Sequence, residues 1–527
     1  MKNLFNNELS RLDVLSYKNV SKNIRNIKIM IHRNHSFEMI SNIINKFLNY
    51  FELNAEFLYS SYDDSLTFPT EMDADLHILW LDLNRYNQET VKSFIEEKIN
   101  ELYALTKKPI ILGCIGNSNS IENNIANIIN INKIVSDLGD KAFDLEKEKY
   151  SGTRLSAKAS IKIAQYLGLK IIPSYFTSQI KAIVTDLDNT FYKGILGEDG
   201  VKNLIPYQKY QNKLKELSQK GYMVCISSKN DEDEVQSLFN NRNDFELKYD
   251  DFTCKRINWN LKAENISDMA KQMNIGLDSI LFIDDNIAEI ESVKVAIPQI
   301  KAILFENEED ILNKLNLYPG FLKSSVTQED LLRSQDIKAN EQRNNLAKTL
   351  SKEEYFNKLG IKIELALNEP THSDRITELL NKTNQFILSY RRYNKSEVEN
   401  LLNSQNSCIV TAKMSDNLSD SGIIAILICK NKNNNLFVDE LTFSCRALGR
   451  NIEDIVISKM LQISKEYLKT TNNIQINYEK GARNIPALNW LKDYTKSELS
   501  EKGIISYVLN EQIETYGLEM KVLCQKH

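Results

Sequence analysis

Three apolar runs in the middle of this chain each stop at a polar cluster. Lys181-Ala-Ile-Val-Thr185 runs into Asp186-Leu-Asp-Asn-Thr190, Tyr222–Ser227 into Ser228-Lys-Asn230, and Ser279-Ile-Leu-Phe-Ile283 into Asp284-Asp-Asn286. Helix-like patterns near 207–220, from Asp231 and over 262–273 separate them, and a last short strand is expected at Ala302–Phe305. Strands alternating with helices of this length build a parallel, doubly wound sheet. Such sheets bind ligands at the carboxyl ends of their strands, where these polar residues collect.

The same alternation occurs earlier. Strands are predicted at Ile27–Ile31, Ala55–Tyr59, Leu76–Leu83 and Ile110–Ile115, with helices over 37–51, 88–106, 119–135 and 155–168. Residues 324–358 are charged and helix-compatible. Beyond 366 the pattern changes to a helix over 372–384, an antiparallel strand pair at 407–414 and 422–430, strand Leu436–Phe443 and a long helix over 451–468. A chain of 527 residues exceeds one hydrophobic core. The expected division is an α/β domain over 1–175, a second over 176–320, a helical connector over 321–365 and an α+β domain over 366–527.

Histidine is absent between His77 and His372, so chemistry in the middle stretch must use carboxylates, lysine, hydroxyls or thiols. The three polar clusters, with Lys262 opening a helix, supply the parts of a magnesium-dependent phosphotransfer site. One carboxylate can attack phosphorus, and a second two residues on can protonate the leaving oxygen. A hydroxyl and a lysine can hold phosphoryl oxygens, and a distal acidic pair can help ligate Mg²⁺.

In this order and at these strand ends, the pattern resembles the haloacid dehalogenase (HAD) superfamily. The resemblance implies that Asp186 is the nucleophile and Asp188 the acid/base. Thr190 supports the turn and, with Ser228 and Lys262, binds phosphate, Lys255 being the alternative lysine. Asp186, Asp188 (through its carbonyl), Asp284 and Asp285 hold Mg²⁺. The 37 residues between Thr190 and Ser228 and the 33 between Ser228 and Lys262 leave no room for a large mobile cap. Asp186–Gly200, Ser228-Lys-Asn-Asp231, Ile257–Lys262, Asn381–Phe386, Arg391-Arg-Tyr393 and Ser444–Glu453 narrow the likeness to the HAD-IIIC, or FkbH-like, proteins over roughly 176–500.

That resemblance implies a capless HAD Rossmann-like domain flanked by an SGNH-like α/β domain and a GNAT-like α+β domain. It also implies dephosphorylation of 1,3-bisphosphoglycerate or a similar small acyl phosphate, with the glyceryl unit passed to the phosphopantetheine thiol of an acyl carrier protein, in secondary-metabolite or surface-polymer assembly. Phe191-Tyr-Lys-Gly194 stands where the family shows Trp-Gly-Gly after the Thr, and Ser227 where it shows a cysteine, with Cys225 on the same face of an ideal strand. Phosphatase chemistry survives both departures, whereas glyceryl transfer turns on them. The other readings are a plain phosphatase, a non-catalytic assembly protein and an acetyltransferase.

In the last domain, Arg446-x-x-Gly449-Arg450 before the long helix resembles the acetyltransferase loop that grips the pyrophosphate of coenzyme A or phosphopantetheine, and Asn484 stands where that fold often shows an Asn. Cys445 reads as a small buried hydrophobe. Asn381–Phe386 with Arg391 and Arg392 reads equally as a contact for a phosphorylated substrate or carrier and as a helix end with a solvated basic pair. In the first domain, His32-Arg-Asn-His-Ser36 lacks the Gly-Asp-Ser of SGNH hydrolases, and no late Asp-x-x-His follows. Ser36 reads as a helix N-cap, and the domain as scaffolding or a docking surface. Against 71 acidic residues the 66 basic ones give a net charge of −5, which offers no global attraction to nucleic acid or anionic membrane. Seven scattered cysteines, with no Cys-x-x-Cys and no apolar signal core, read as reduced thiols of a cytoplasmic protein.

Overall fold

The computed structural model describes residues 3–17, 24–116, 121, 123, 125–146, 148–321, 339, 343, 346, 347, 349–383, 385–444, 447–471, 473–481, 483–510 and 512–524. The chain divides into two compact units, 1–180 with 304–324, and 181–303 with 325–527. The fold class is mixed α/β with parallel, Rossmann-like sheets. Among the described residues no helix is long and apolar enough to cross a membrane.

The first unit holds a five-stranded sheet of β1 (Arg25–Arg33), β2 (Leu53–Tyr62), β3 (Leu76–Asp82), β4 (Ile110–Ile115) and β5 (Ala126–Asn130), in the order β2-β1-β3-β4-β5 with every pair parallel. β3 and β4 are buried along their whole length, as their largely apolar runs suit a sheet covered on both faces. Helix α1 (Glu38–Leu48) buries Ile40, Ile43, Ile44, Phe47 and Leu48, a stripe at helical spacing. Helices α2 (Val91–Thr106) and α3 (Ala157–Gln165) fall where the pattern placed them. The helix predicted over 119–135 is instead β5 and a single helical turn, Ile131–Ile134. The Ile128-Ile129 pair favours an edge strand beside β4, and the Asn130 side chain accepts the Lys133 N–H to start the turn.

His32 on β1 and His77 on β3 meet at 3.1 Å (Nε2 to Nδ1), and His35 meets the Thr153 hydroxyl at 3.0 Å. All three are buried. Burial pushes His32 and His35 down to about 3 and His77 to about 4, from an ordinary 6.5. Each is therefore neutral when folded and protonates on unfolding, so its stabilising contribution is complete above pH 6.5 and is lost as pH falls towards the folded-state values. Between pH 7 and pH 5 the first unit should lose roughly 2 kcal/mol per histidine. Hydrogen exchange of the β1–β3 amides at the two pH values measures this, after correction for intrinsic exchange, and equal protection would contradict it.

The second unit begins with a sheet of β6 (Ala182–Thr185), β9 (Met223–Ser228), β10 (Lys255–Ile257), β11 (Ile280–Asp284) and β12 (Lys301–Leu304), in the order β10-β9-β6-β11-β12. Between β6 and β9 lie the short hairpin β7 (Tyr192–Lys193) and β8 (Ile205–Pro206), one helical turn, and α4 (Gln208–Gln219). Helices α5 (Glu232–Asn241), α6 (Lys262–Met273) and α7 (Ile287–Ala296) follow β9, β10 and β11. The edge strand β10 has three residues and was not legible as a strand. Helix α8 (Glu308–Leu317) clusters with the first unit, where Leu317 packs against the core.

The remaining sheet has seven strands: β13 (Lys362–Leu367), β14 (Ser407–Ser415), β15 (Asp420–Lys432), β16 (Asn435–Phe443), β17 (Asn473–Glu479), β18 (Lys502–Val508) and β19 (Glu519–Cys524), in the order β18-β17-β16-β15-β14-β13-β19. Helices α9 (Ser373–Lys382) and α10 (Lys395–Leu402) pack around Ile409, Ile423, Ile426 and Ile428. Helix α11 (Glu453–Leu468) joins the parallel pair β16 and β17, and α12 (Ile485–Thr495) precedes β18. β16 and β17 pair only over Leu436–Val438. Beyond that point residues 386–388 bond to both strands, with Leu388 N–H to Leu441 O at 3.1 Å, Phe443 N–H to Phe386 O at 2.9 Å and Glu479 N–H to Leu388 O at 2.9 Å.

Candidate active site

Asp186 follows the last residue of β6, Ser228 ends β9, and Asp284 ends β11. β6 is flanked by the other two, so its carboxyl end is the centre of the constellation. Asp186, Asp284 and Asp285 offer carboxylate oxygens that all lie within 4.8 Å of one another. Lys262, at the first position of α6, places its Nζ 2.9 Å from Asp186 and 2.5 Å from Asp284. One buried lysine thus faces three carboxylates. The electrostatics follow from that excess: burial, and then the Asp186 charge, push Asp284 up to about 6 and Asp285 upward. Burial alone would lower the Lys262 ammonium, but Asp186 and Asp284 outweigh it and hold it above the usual lysine value.

The Asp186 Oδ1 is buried with no hydrogen-bond partner, a costly state unless a ligand uses it. Clustered hard carboxylate oxygens, one of them unpaired, suit a small divalent cation such as Mg²⁺. Asp186, Asp284 and Asp285 are the side chains that would hold it. Bound there, it would neutralise the acidic excess and polarise a phosphoryl group.

Thr190 is buried, and its hydroxyl accepts the Asp285 N–H at 3.1 Å, tying the first acidic turn to the third. Asn189 adopts φ +50°, and it and Gly194 close a ring, with Asn189 N–H to Gly194 O at 3.1 Å and Gly194 N–H to Asn189 Oδ1 at 3.0 Å. Gly194 stands at φ +112°, and a Cβ there would lie 2.8 Å from Leu204, so only glycine serves. Lys255 is not part of the site: its Nζ sits over the Tyr249 ring and reaches the Tyr249 carbonyl at 3.3 Å.

Two neighbours of Asp188 were not singled out in the sequence. Asn230 donates to Asp188 Oδ2 at 3.0 Å and to Ser228 Oγ at 3.1 Å. The Tyr192 hydroxyl donates to Asp188 Oδ1 at 2.8 Å. Asn230 carried a signal, standing two residues after Ser228 at a strand end, whereas Tyr192 reads as an ordinary core aromatic. Ser227 and Cys225 are both fully buried. The Cys225 thiol packs on Met273 at 3.7 Å, and burial pushes its ionisation well up.

The described residues of the C-terminal loop have internal partners. The Gly449 N–H, expected to grip a phosphate, donates to Glu453 Oε1 at 2.6 Å, so an internal carboxylate already occupies the anion position. Arg450 is buried and donates to Ser421 Oγ at 3.0 Å, near Asp416. Asn484 is fully buried and donates to the carbonyls of Ile387 and Glu479 at 2.9 Å. Arg446 and Cys445 lie outside the described residues. In the described part of this loop the Gly449 amide and the Arg450 side chain thus have internal partners. The basic pair is likewise used internally, Arg391 on Asp439 at 2.9 Å and Arg392 on the Thr383 carbonyl at 3.0 Å.

In the first unit the Ser36 hydroxyl does not cap a helix; it donates to the Glu38 carboxylate at 2.5 Å. Asn34 and Asp82 exchange hydrogen bonds at the strand ends, and Arg154 grips Asp82 through two nitrogens. These polar groups satisfy one another.

No protein-family model matches the chain, and no curated protein matches it. Among solved structures, the chain is similar to the N-terminal part of a Bacteroides fragilis protein containing a phosphatase domain complexed with Mg, at 20% identity and a TM-score of 0.44, over 57% of this chain and 96% of that one. It is similar to an N-acetyltransferase of Thermoplasma acidophilum in complex with coenzyme A, at 11% identity and a TM-score of 0.22, over 28% of this chain and 98% of that one. A third similar structure is an acetyltransferase of the GNAT family from Streptococcus pneumoniae, at 10% identity and a TM-score of 0.22, over 28% of this chain and 99% of that one.

Proposed function

We propose that this chain is a Mg²⁺-dependent phosphohydrolase of the HAD-IIIC, FkbH-like type, working through an aspartyl-phosphate on Asp186. The observation that carries the reading is the convergence of Asp186, Asp284 and Asp285 within 4.8 Å around buried Lys262. Asp186 attacks phosphorus, and Asp188 gives a proton to the leaving oxygen. In the second half Asp188 takes a proton from the water that hydrolyses the aspartyl-phosphate. Ser228 and Lys262 hold phosphoryl oxygens, and Thr190 fixes the two acidic turns against each other.

The substrate class, a small acyl phosphate such as 1,3-bisphosphoglycerate, and the acceptor, a phosphopantetheinylated acyl carrier protein, rest on the sequence resemblance. A plain phosphatase is the second reading. The Glu453 carboxylate on the Gly449 N–H favours it, because that amide is then already bonded within the chain. Intact-mass analysis after incubation with Mg²⁺, 1,3-bisphosphoglycerate and loaded carrier separates the two. A glyceryl gain on the carrier supports transfer, and phosphate release with an unmodified carrier supports the phosphatase. No phosphate release with or without Mg²⁺, from this substrate and from simple phosphate esters, would overturn both.

A further inference from the structure

Asp188 stands in the proposed mechanism as the group that moves a proton to and from the leaving oxygen, and its carboxylate must hold one orientation through both half-reactions. Three donors reach it: the Leu196 N–H at 3.0 Å and the Tyr192 hydroxyl at 2.8 Å on Oδ1, and the Asn230 amide at 3.0 Å on Oδ2. The two N–H groups can only donate. The Leu196 and Tyr192 bonds both go to Oδ1, so they hold the carboxyl plane whether or not Oδ2 carries the proton to be transferred.

Tyr192 is also held still. It is fully buried, its ring is parallel to Phe245 at 6.0 Å, and Phe191 packs edge-on against it at 6.5 Å. Its backbone belongs to the β7–β8 hairpin, and residue 188 bridges to it directly. The aromatic position in the hairpin is therefore more than core packing.

We propose that Tyr192 is a positioning residue for proton transfer, orienting Asp188 so that it can protonate the leaving oxygen. The inference rests on the phosphohydrolase reading. In the step it serves, the Asp186–phosphorus bond forms as the bond from phosphorus to the leaving oxygen breaks, and the Asp188 proton goes to that oxygen. Its effect must therefore depend on how badly the leaving group needs a proton. Alkyl esters need one, while acetyl phosphate and p-nitrophenyl phosphate depart as stable anions.

The test is Tyr192→Phe, which keeps the ring, assayed with Mg²⁺ on glycerol phosphate, phenyl phosphate, p-nitrophenyl phosphate and acetyl phosphate. Of the ~10²–10⁴-fold that general acid catalysis supplies, loss of orientation should remove about 10- to 100-fold in kcat on glycerol phosphate. The loss on acetyl phosphate should be about 3-fold at most, with KM nearly constant throughout. A uniform fall across the four substrates, or none, would overturn the role of Tyr192 and leave the phosphohydrolase reading standing. Absence of Mg²⁺-dependent turnover in the unmodified chain on all four would overturn that reading, and this inference with it, before any variant is compared.

Discussion

Asp186→Asn is expected to abolish Mg²⁺-dependent phosphate release while leaving the fold intact. An amide is too weak a nucleophile to form the phosphoenzyme, so kcat should fall at least about 10³-fold. Stability should hold, because the variant keeps the contact between Lys262 and Asp284 at 2.5 Å. The same substitution removes the charge that helps push Asp284 and Asp285 upward. Without metal, three clustered carboxylates repel, and the variant should melt no lower than the parent chain. Steady-state assays beside thermal melts in EDTA check both halves. Retained activity would remove Asp186 from the chemistry, and a large fall in Tm would make its role structural.

The second large effect is expected at Lys262. Its side chain is 3% exposed, and among the described residues its ion pairs are with Asp186 and Asp284. Lys262→Met would leave those carboxylates buried without their cation. Breaking a buried pair by removing one partner costs about 3–5 kcal/mol. The phosphoryl group would also lose a positive partner in a water-poor site, with an expected fall in kcat of about 10²-fold. A divalent cation supplies charge of the same sign at the same cluster. Mg²⁺ should therefore raise the Tm of the variant more than that of the parent chain, through tighter linkage between folding and binding. An equal Tm rise in both proteins would contradict the shared-charge account.

The positions of Asp186, Ser228, Lys262 and Asp284 were legible because each follows from a strand or helix boundary. An apolar run that stops at a polar cluster puts that cluster at the carboxyl end of a parallel sheet. Tyr192 was not legible, since its partner is fixed by how the hairpin folds back and not by spacing along a strand. The short edge strands β5 and β10 escaped notice because three to five residues carry little periodicity. The turn at Gly449 and Arg450 is the converse case. Its spacing fits an anion-binding turn, but Glu453 lies four residues beyond Gly449 and takes the amide itself. Arg450 turns inward, where Ser421 and Asp416 receive it. Local pattern identified where a ligand site can form; it did not say which internal group reaches the site first.

The central claim is that Asp186 carries phosphorus. It is tested most directly by acid-quenching the chain with Mg²⁺ and acetyl phosphate, then mapping the modification by peptide mass spectrometry after borohydride trapping. The expected result is homoserine at position 186, formed when borohydride reduces the aspartyl-phosphate and expels phosphate, absent in EDTA and in Asp186→Asn. Mg²⁺-dependent phosphate release with position 186 unreduced throughout, or with homoserine at 188 or 284 instead, would contradict it.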